Sequence, residues 1–322
     1  MTNTATNMAQ AILSAHAALA LGTPKTSKTF EPPALINQGL TAIKDEASTE
    51  VYQAAHLASL ALNFDEADAD VIASAWQAQT RRTGQFDANQ WPTEPEDFGL
   101  RHRSDAEAFA PCPQQLGLYA VLPDAAWVGR LARAGVPTVQ LRFKSDDVQA
   151  IRHEVRAAVE AVRGTQALLF INDHWQAAIE AGAYGVHLGQ EDLDSLSEAD
   201  LGSIRRAGLR LGISSHGYAE MLRAAHYGPS YIAMGAVFAT TLKRMATPPQ
   251  GLARLQVYTR LLRHYPTVAI GGIDLDHLGA VLACGVGSVG VVRALVAADL
   301  PETAVRAFQA AWEQSLSRVP KG

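Results

Sequence analysis

A polar and basic group of residues follows one short apolar run of this 322-residue chain. Gln140, Arg142 and Lys144 occupy alternate positions, so they would share one face of an extended strand. Cationic side chains on a buried face are costly unless an anion or a carboxylate meets them. Two interpretations stay open at this point: the group binds an anionic ligand, or it forms internal ion pairs with Asp173 or Asp192.

Carboxylates follow the next two apolar runs, at Asp173 and Asp192. A single Asp after a strand often does no more than cap the next helix. Two carboxylates at one rim repel each other unless a cation bridges them, and oxygen ligands of this kind suit Mg²⁺. We therefore expect Asp173 and Asp192 to hold Mg²⁺. His187 and His216 are interpreted as hydrogen-bonded core histidines.

Two later segments are candidates for binding phosphate. Residues 240–243 place two threonines beside Lys243, which suits phosphate oxygens, although a solvated basic loop has the same composition. Gly271 and Gly272 end one apolar run, and Arg293 lies in the last one. In many barrels the loops after strands seven and eight bind phosphate through backbone N–H groups, whereas glycines also serve plain tight turns. Two phosphorylated substrates, one with Mg²⁺, fit this inventory.

The sequence carries no Ser–His–Asp arrangement and no cysteine nucleophile. A reaction that proceeds by loss of diphosphate needs mainly charge stabilisation and positioning.

Eight short apolar runs bring these residues to one place. Each run is rich in Val, Ile, Leu or Tyr and is followed by a stretch with helical spacing, which is typical of parallel strands buried on both faces. We predict an α/β fold, a (β/α)8 TIM barrel whose active site lies at the carboxyl ends of the strands. The predicted strands are 116–122, 138–144, 167–172, 185–190, 210–214, 231–238, 267–272 and 288–295.

The first hundred residues differ from the rest. Residues 1–90 are predicted to form a small helical N-terminal extension, with Ala-rich helices over 8–21, 50–62 and 67–79. Residues 91–115, with their prolines, read as a linker, and residues 116–322 form the barrel domain.

Composition narrows the function classes. The formal net charge is −5 and the chain has no long basic tract, which argues against nucleic acid as a partner. Two cysteines, no positively charged leader and no apolar run of membrane-spanning length favour a cytoplasmic protein without a membrane partner. We expect small-molecule partners, and homo-oligomerisation stays open.

Several motifs together resemble the thiamine phosphate synthase family over residues 116–320. They are VQLRFK at 139–144, LFINDHWQAAIEAGAYGVHLGQEDL at 169–193, LGISSH at 211–216, YIAMGAVFATTLK at 231–243 and TVAIGGI at 267–273. The resemblance implies a Mg²⁺-dependent transferase that couples a hydroxymethylpyrimidine diphosphate to a thiazole phosphate and releases diphosphate. It also implies a dissociative reaction through a stabilised pyrimidine cation.

The same resemblance assigns expected roles to residues. Asp173 and Asp192 would hold Mg²⁺. Arg142, Lys144 and Lys243 would be the catalytic cations. The pyrimidine diphosphate site would comprise Gln140, Arg142, Lys144, Asn172, Ser214 and Lys243. The thiazole phosphate site would comprise Thr240, Thr241, Leu242, Gly271, Gly272, Val292 and Arg293.

Three positions depart from the common family pattern. Phe143 replaces a Glu and should point away from the barrel lumen. Leu242 replaces a Thr, which removes a hydroxyl, and Arg293 replaces a Ser beside the thiazole phosphate. The last two concern the thiazole substrate more than the type of reaction.

Two other functions stay in view. A thiazole tautomerase shares this barrel, but it has no need of a diphosphate-binding cluster. A phosphate-ligand sensor without catalysis, whose extension contacts a partner, is the alternative from a different class. Residues 50–92 weakly resemble the tail of a hydroxymethylpyrimidine kinase, and about 110 residues cannot contain a kinase core, so the extension is interpreted as a remnant or as an unrelated helical cap.

Overall fold

The computed structural model describes residues 3–21, 49–100, 108–240 and 247–318. In the described part, eight strands form a closed barrel in sequence order, and every neighbouring pair is parallel, including β1 with β8. The strands are β1 Gly117–Leu122, β2 Thr138–Leu141, β3 Leu168–Asn172, β4 Gly185–Leu188, β5 Arg210–Ser215, β6 Tyr231–Met234, β7 Thr267–Ile270 and β8 Ser288–Val291.

Helices surround the barrel and form the extension. The described helices are α1 Asn3–Ala15, α2 Glu50–Ala61, α3 Glu66–Thr83, α4 Ala125–Arg133, α5 Val148–Ala161, α6 Trp175–Ala181, α7 Gln190–Ser195, α8 Glu198–Arg206, α9 Tyr218–His226, α10 Gly251–Leu261, α11 Leu275–Ala283, α12 Arg293–Val296 and α13 Pro301–Arg318. None of the helices in the described ranges is both long and apolar enough to cross a membrane. The barrel fold predicted from the sequence is confirmed.

Alternating residues of each strand separate an outer layer from a lumen. The lumen holds a compact cluster that includes Tyr119, Phe170 and Tyr231, whereas the intervening strand residues pack outward against the helices. A Cβ at Gly212 would overlap the ring of Tyr231, so glycine at this position makes room for a large aromatic side chain. A filled lumen of this kind is a core and not a pore.

Several strands end earlier than predicted. β2 ends at Leu141 and β6 at Met234. β8 ends at Val291 because a helical turn begins at Arg293. The short elements matter for function, since the predicted site residues beyond these ends lie on loops at the rim and not on strands.

The first helix of the extension is displaced from its prediction. It spans Asn3–Ala15 instead of 8–21. The chain leaves the helix at His16, whose ring bonds to the carbonyl of Ala88 at 2.9 Å. A short 3₁₀ turn then buries Leu19. Tertiary contacts, which sequence periodicity does not report, end this helix.

The extension packs onto the barrel through a continuous apolar core that joins its helices to α9 and α10. Residues at the start of the predicted linker take part: Trp91 donates a hydrogen bond from Nε1 to the Tyr218 hydroxyl at 2.9 Å, and Phe98 stacks on Tyr218. Arg82 holds the buried Asp97 at 2.6 Å. The segment 91–100 is therefore packed against both parts of the chain.

One buried carboxyl lies in this contact. Asp68 is 6% exposed and receives the backbone N–H of Ala219 at 2.9 Å. Burial raises the pKa of Asp68 from 3.8 to about 7, and the charge of Asp65 adds to the rise, whereas the N–H groups and Arg254 oppose it. Tyr258, whose pKa Asp68 in turn raises, also faces this carboxyl. The folded state favours the neutral form of Asp68. The stability that this preference contributes is therefore complete below about pH 4 and is lost as the pH rises through about 7.

We predict that Asp68→Asn flattens the pH dependence of stability. Asn is an uncharged isostere of the neutral acid, so the variant should not lose stability between about pH 4 and 7 as the wild type does. Urea unfolding at several pH values measures the difference. Asp276→Asn, which changes an exposed carboxylate on α11, is the control and should parallel the wild type. Parallel curves for Asp68→Asn as well would show that burial does not perturb this acid.

Candidate active site

The carboxyl ends of β2, β3 and β4 bring the first group of predicted residues to one rim. Gln140 is 4% exposed and points into the lumen, and Asn172 is buried at the end of β3. Arg142 and Lys144 are exposed because β2 ends before them. The predicted strand 138–144 is thus too long, since Gln140 lies on β2 and Arg142 and Lys144 lie beyond its end. Phe143 packs against the outer apolar layer, as expected.

Lys144 forms an ion pair with Asp173. Its Nζ lies 2.5 Å from Asp173 Oδ2, and the lysine side chain remains 57% exposed. The internal ion pair raised as one interpretation is therefore present. An exposed pair contributes little to stability, and the exposed ammonium stays accessible to an anion from solvent. The ion pair and a ligand-binding role are compatible.

Asp173 adopts a left-handed backbone conformation with φ of 63°. Asp is one of the few residues other than Gly that tolerate this region. Its N–H donates to the His187 carbonyl at 3.0 Å, and its own carbonyl accepts from Trp175. These backbone bonds turn the chain sharply at the end of β3, so that the carboxylate faces the rim.

Asp192 lies beside Asp173. Burial raises the pKa of Asp192, and the charge of Asp173 and a hydrogen bond between the two carboxyl groups raise it further, while Gly189 N–H and Lys144 act in the opposite direction. Asp192 Oδ2 accepts the Gly189 N–H at 2.7 Å. The structure thus brings the two predicted metal ligands together in a site where adding positive charge would be favourable.

The donor set of Asp173 and Asp192 consists of carboxylate oxygens, which suit a hard cation such as Mg²⁺. Within the described residues, no group of three or more His, Cys, Asp or Glu side chains could hold a metal ion. A two-carboxylate site leaves coordination positions for waters and phosphate oxygens, which is the arrangement Mg²⁺ commonly takes. Asp173 and Asp192 are therefore suitable ligands for a Mg²⁺ that arrives with a phosphorylated substrate.

A chain of hydrogen bonds crosses the lumen beneath this rim. Gln140 Nε2 donates to the Tyr119 hydroxyl at 3.1 Å, and that hydroxyl lies 2.7 Å from the hydroxyl of Tyr231. The Tyr231 hydroxyl is 2.7 Å from His187 Nδ1, and His187 Nε2 is 2.8 Å from Ser214 Oγ. His187 is thus a hydrogen-bonded core histidine, as expected. The chain links Gln140 and Ser214, the two predicted pyrimidine-site residues on opposite sides of the lumen.

Burial keeps the two tyrosine hydroxyls of this hydrogen-bonded chain protonated. It raises the pKa of the Tyr119 and Tyr231 hydroxyls well above their ordinary values. Both therefore stay neutral at physiological pH and can donate as well as accept. His216, the other histidine interpreted as a core residue, is half-buried and pairs with Glu220 at 2.7 Å.

Gly271 and Gly272 have a packing role that the sequence did not distinguish from phosphate binding. Both have positive φ, 103° and 67°, and a Cβ at Gly271 would lie 2.5 Å from Ala236. The chain after β6 runs alongside them, with the Phe238 N–H bonded to the Gly271 carbonyl at 2.9 Å. The glycines thus let the segment after β6 follow the end of β7 to the rim, where Thr240 lies.

The remaining predicted thiazole-site residues are only partly described. Thr241, Leu242 and Lys243 lie outside the described residues. Val292 packs against the lumen cluster, and Arg293 is exposed at the start of α12. Both follow β8 directly, at the same rim as Gly271.

Sequence reasoning missed the residues that hold the site from below and from the side. Tyr119 and Tyr231 were missed because tyrosine is common in strands and nothing in the sequence sets these two apart. Arg223 is buried in α9 and bonds to Gln190 Oε1 at 3.2 Å, and Gln190 Nε2 bonds to the Ser214 carbonyl at 2.7 Å. The one signal in the sequence was an arginine at an apolar position of a predicted helix. That signal does not show that Arg223 bonds to Gln190.

Comparison with known proteins agrees with this geometry. A family model described as thiamine monophosphate synthase matches residues 118–295. The thiamine-phosphate synthase of Neisseria gonorrhoeae is 54% identical over 205 residues, which are 64% of this chain and 98% of that protein. The thiamine-phosphate synthase of Serratia proteamaculans is 51% identical over 190 residues, 59% of this chain and 88% of that protein.

A solved structure gives the same result. Thiamine phosphate pyrophosphorylase from Pyrococcus furiosus matches with a TM-score of 0.54 and 26% identity, and the match covers 62% of this chain and 97% of that one. The family model extends from β1 into α12 and so includes every strand of the barrel. This chain belongs to the thiamine monophosphate synthase family.

Proposed function

We propose that this chain is a thiamine-phosphate synthase. It is a transferase that joins 4-amino-2-methyl-5-(diphosphooxymethyl)pyrimidine to a thiazole phosphate and gives thiamine phosphate and diphosphate. Family membership and about 50% identity to named thiamine-phosphate synthases support the reaction. The observation that carries the proposal for the site is the cluster of Lys144, Asp173 and Asp192 at the carboxyl rim.

The residues around this cluster suit a diphosphate with its metal. Asp173 and Asp192 would hold Mg²⁺, which when bound neutralises charge on the leaving diphosphate. Lys144 and Arg142 are exposed beside them and would bind the diphosphate oxygens as charged donors. Lys243 is proposed as the third cation. Stabilising the departing diphosphate in this way lowers the activation barrier to breaking the carbon–oxygen bond of the pyrimidine diphosphate.

The buried and half-buried groups below the rim would orient the pyrimidine ring. Gln140, Asn172 and Ser214 offer amide and hydroxyl groups at the floor of the site, and the chain of hydrogen bonds through His187 fixes Ser214 Oγ. Fixed donors and acceptors would hold the ring in place while the methylene carbon attached to it faces the thiazole nitrogen. The thiazole phosphate is proposed to bind between Thr240, Gly271 and the start of α12, with Thr241, Leu242, Gly272, Val292 and Arg293 around it.

The direct test is turnover by the full chain with both substrates and Mg²⁺. Thiamine phosphate should form in a one-to-one ratio with diphosphate, as detected by mass spectrometry and by a coupled diphosphate assay. Binding of both substrates without product would contradict the synthase and favour a phosphate-ligand sensor.

Asp192→Asn is expected to lower Mg²⁺-dependent turnover by about a hundredfold or more, because it removes one of two charges facing the metal. Asn keeps an oxygen that can accept the Gly189 N–H, so the fold should persist. Turnover is measured across a Mg²⁺ titration, and thermal unfolding with Mg²⁺ and inorganic diphosphate reports binding without catalysis. Glu191→Gln, the neighbouring exposed carboxylate, is the control, and equal effects of both substitutions would refute a specific metal ligand.

Tyr231→Phe is expected to lower kcat/KM for the pyrimidine diphosphate about tenfold, because it breaks the chain of hydrogen bonds that fixes His187 and Ser214. It also leaves buried polar atoms unpaired, at a cost to the free energy of unfolding of about 1–3 kcal/mol. Steady-state kinetics and urea unfolding measure the two effects. Tyr184→Phe is the control, because it removes a hydroxyl next to Arg210 at the opposite end of the barrel, and it should leave kcat/KM unchanged. A drop of similar size in this control would argue against a role for the chain of hydrogen bonds.

A further inference from the structure

The extension is additional to the family barrel. The family match begins at residue 118, and the relative from Neisseria gonorrhoeae is matched over 98% of its own length by 205 residues of this chain. An extension of this size therefore has no counterpart in that relative. Its contacts with the barrel have to be explained from this structure.

Helix α9 lacks a cap from its own segment. Asp124, Asp147 and Asp274 each accept a backbone N–H at the start of the helix that follows them, in α4, α5 and α11. At α9 the corresponding residue is Gly217, which has no side chain to do this. The first N–H groups of a helix need an acceptor when they are buried.

Asp68 of the extension supplies the missing cap. Its Oδ1 accepts the Ala219 N–H at 2.9 Å, and it also receives a hydrogen bond from the Tyr218 N–H. A Cβ on Gly217 would overlap the Asp68 carboxyl group. Glycine at this position therefore leaves the space that the extension's side chain fills, and the two residues are complementary across 149 positions of sequence.

The capped helix is tied directly to the rim. Ser214 lies three residues before Gly217, at the end of β5. From the other side of α9, Arg223 holds the side chain of Gln190 at 3.2 Å, and Gln190 holds the Ser214 carbonyl at 2.7 Å. Gln190 starts α7, two residues before Asp192. A shift of α9 would therefore move both a pyrimidine-site residue and a metal ligand.

A second contact reaches the segment that carries Thr240. Arg254 of α10 is 3% exposed and donates to the extension carbonyls of Leu19 at 3.0 Å and Leu62 at 2.8 Å. It also donates to Gln250 Oε1 at 3.3 Å. The Gln250 N–H bonds to the Ala236 carbonyl at 2.8 Å and so closes the loop after β6. Without the extension, Arg254 would lose acceptors that a buried guanidinium needs.

Resting on the function proposed above, we propose that the N-terminal extension is a positioning element of the active site, with Asp68 as the residue that fixes α9 and the rim residues attached to it. The extension acts by holding the β5–α9 connection and the end of the loop after β6.

The test compares Asp68→Ala with Asp68→Asn in the full chain. Loss of the cap should raise KM for the pyrimidine diphosphate about fivefold, with a smaller change in kcat, and Asn, which caps as well as Asp, should restore it. KM for the thiazole phosphate should stay at the wild-type value, because Asp68 acts on the β5 side of the rim. Assays are run well below the unfolding temperature of each variant.

Arg82→Gln is the matched control. It breaks the ion pair that joins the extension to Asp97 of the segment 91–100, and it leaves Asp68 in place. It should lower the stability of the extension without changing KM. A wild-type KM in Asp68→Ala, or an equal rise in Arg82→Gln, would overturn the proposal.

A second readout does not depend on catalysis. Amide hydrogen exchange in peptides covering 211–217 and 187–193 should be about fivefold faster in Asp68→Ala and unchanged in Arg82→Gln. An inactive wild-type chain would refute the proposed function alone, while unchanged exchange in Asp68→Ala would refute the positioning role alone. If Asp68→Ala does not fold, Trp91→Phe replaces it in both measurements. This substitution removes the hydrogen bond to the Tyr218 hydroxyl and part of the packing of the buried indole at the start of α9. The same direction is expected, and unchanged values would overturn the proposal.

Discussion

The closeness of Asp173 and Asp192 is the constraint on which the site depends. The closed parallel barrel sends the ends of β3 and β4 to one rim, and the left-handed turn at Asp173 directs its carboxylate toward its neighbour. Burial raises the pKa of Asp192, and the charge of the neighbouring Asp173 raises it further. A divalent cation relieves the cost of ionising Asp192, and the adjacent Lys144 draws anions to the same place. The local electrostatics of the rim favour a metal with a multiply charged ligand.

Below the rim, the packing of the lumen fixes the orientation of the polar groups at the floor of the site. Large aromatic side chains fill it, and glycines on neighbouring strands make room for their rings. The hydroxyls of Tyr119 and Tyr231 lie inside this packing, so the hydrogen bonds from Gln140 to Ser214 have little freedom to rearrange. A site built on such a floor is rigid before substrate arrives, which is what catalysis by positioning requires.

Much of this could be predicted from the sequence because barrel strands and their ends are local patterns. Apolar runs followed by polar residues identified the strands, and the order of the strands placed Asp173 beside Asp192. The exposure of Arg142 and Lys144 was not predictable, since periodicity alone does not show that β2 ends at Leu141. Contacts between distant segments were also out of reach. Nothing near Asp68 indicates that it caps a helix starting at Tyr218, and the lone signal at the other end is a glycine in place of a capping side chain.

The central claim is that Mg²⁺ and a diphosphate bind together at the carboxyl rim of the barrel. A crystal structure of the full chain with Mn²⁺ and inorganic diphosphate tests it most directly, because the anomalous signal of Mn²⁺ locates the metal. We expect one metal between Asp173 and Asp192, with diphosphate oxygens on the metal and on Lys144. A metal bound elsewhere, or diphosphate at the amino-terminal end of the strands, would contradict the account.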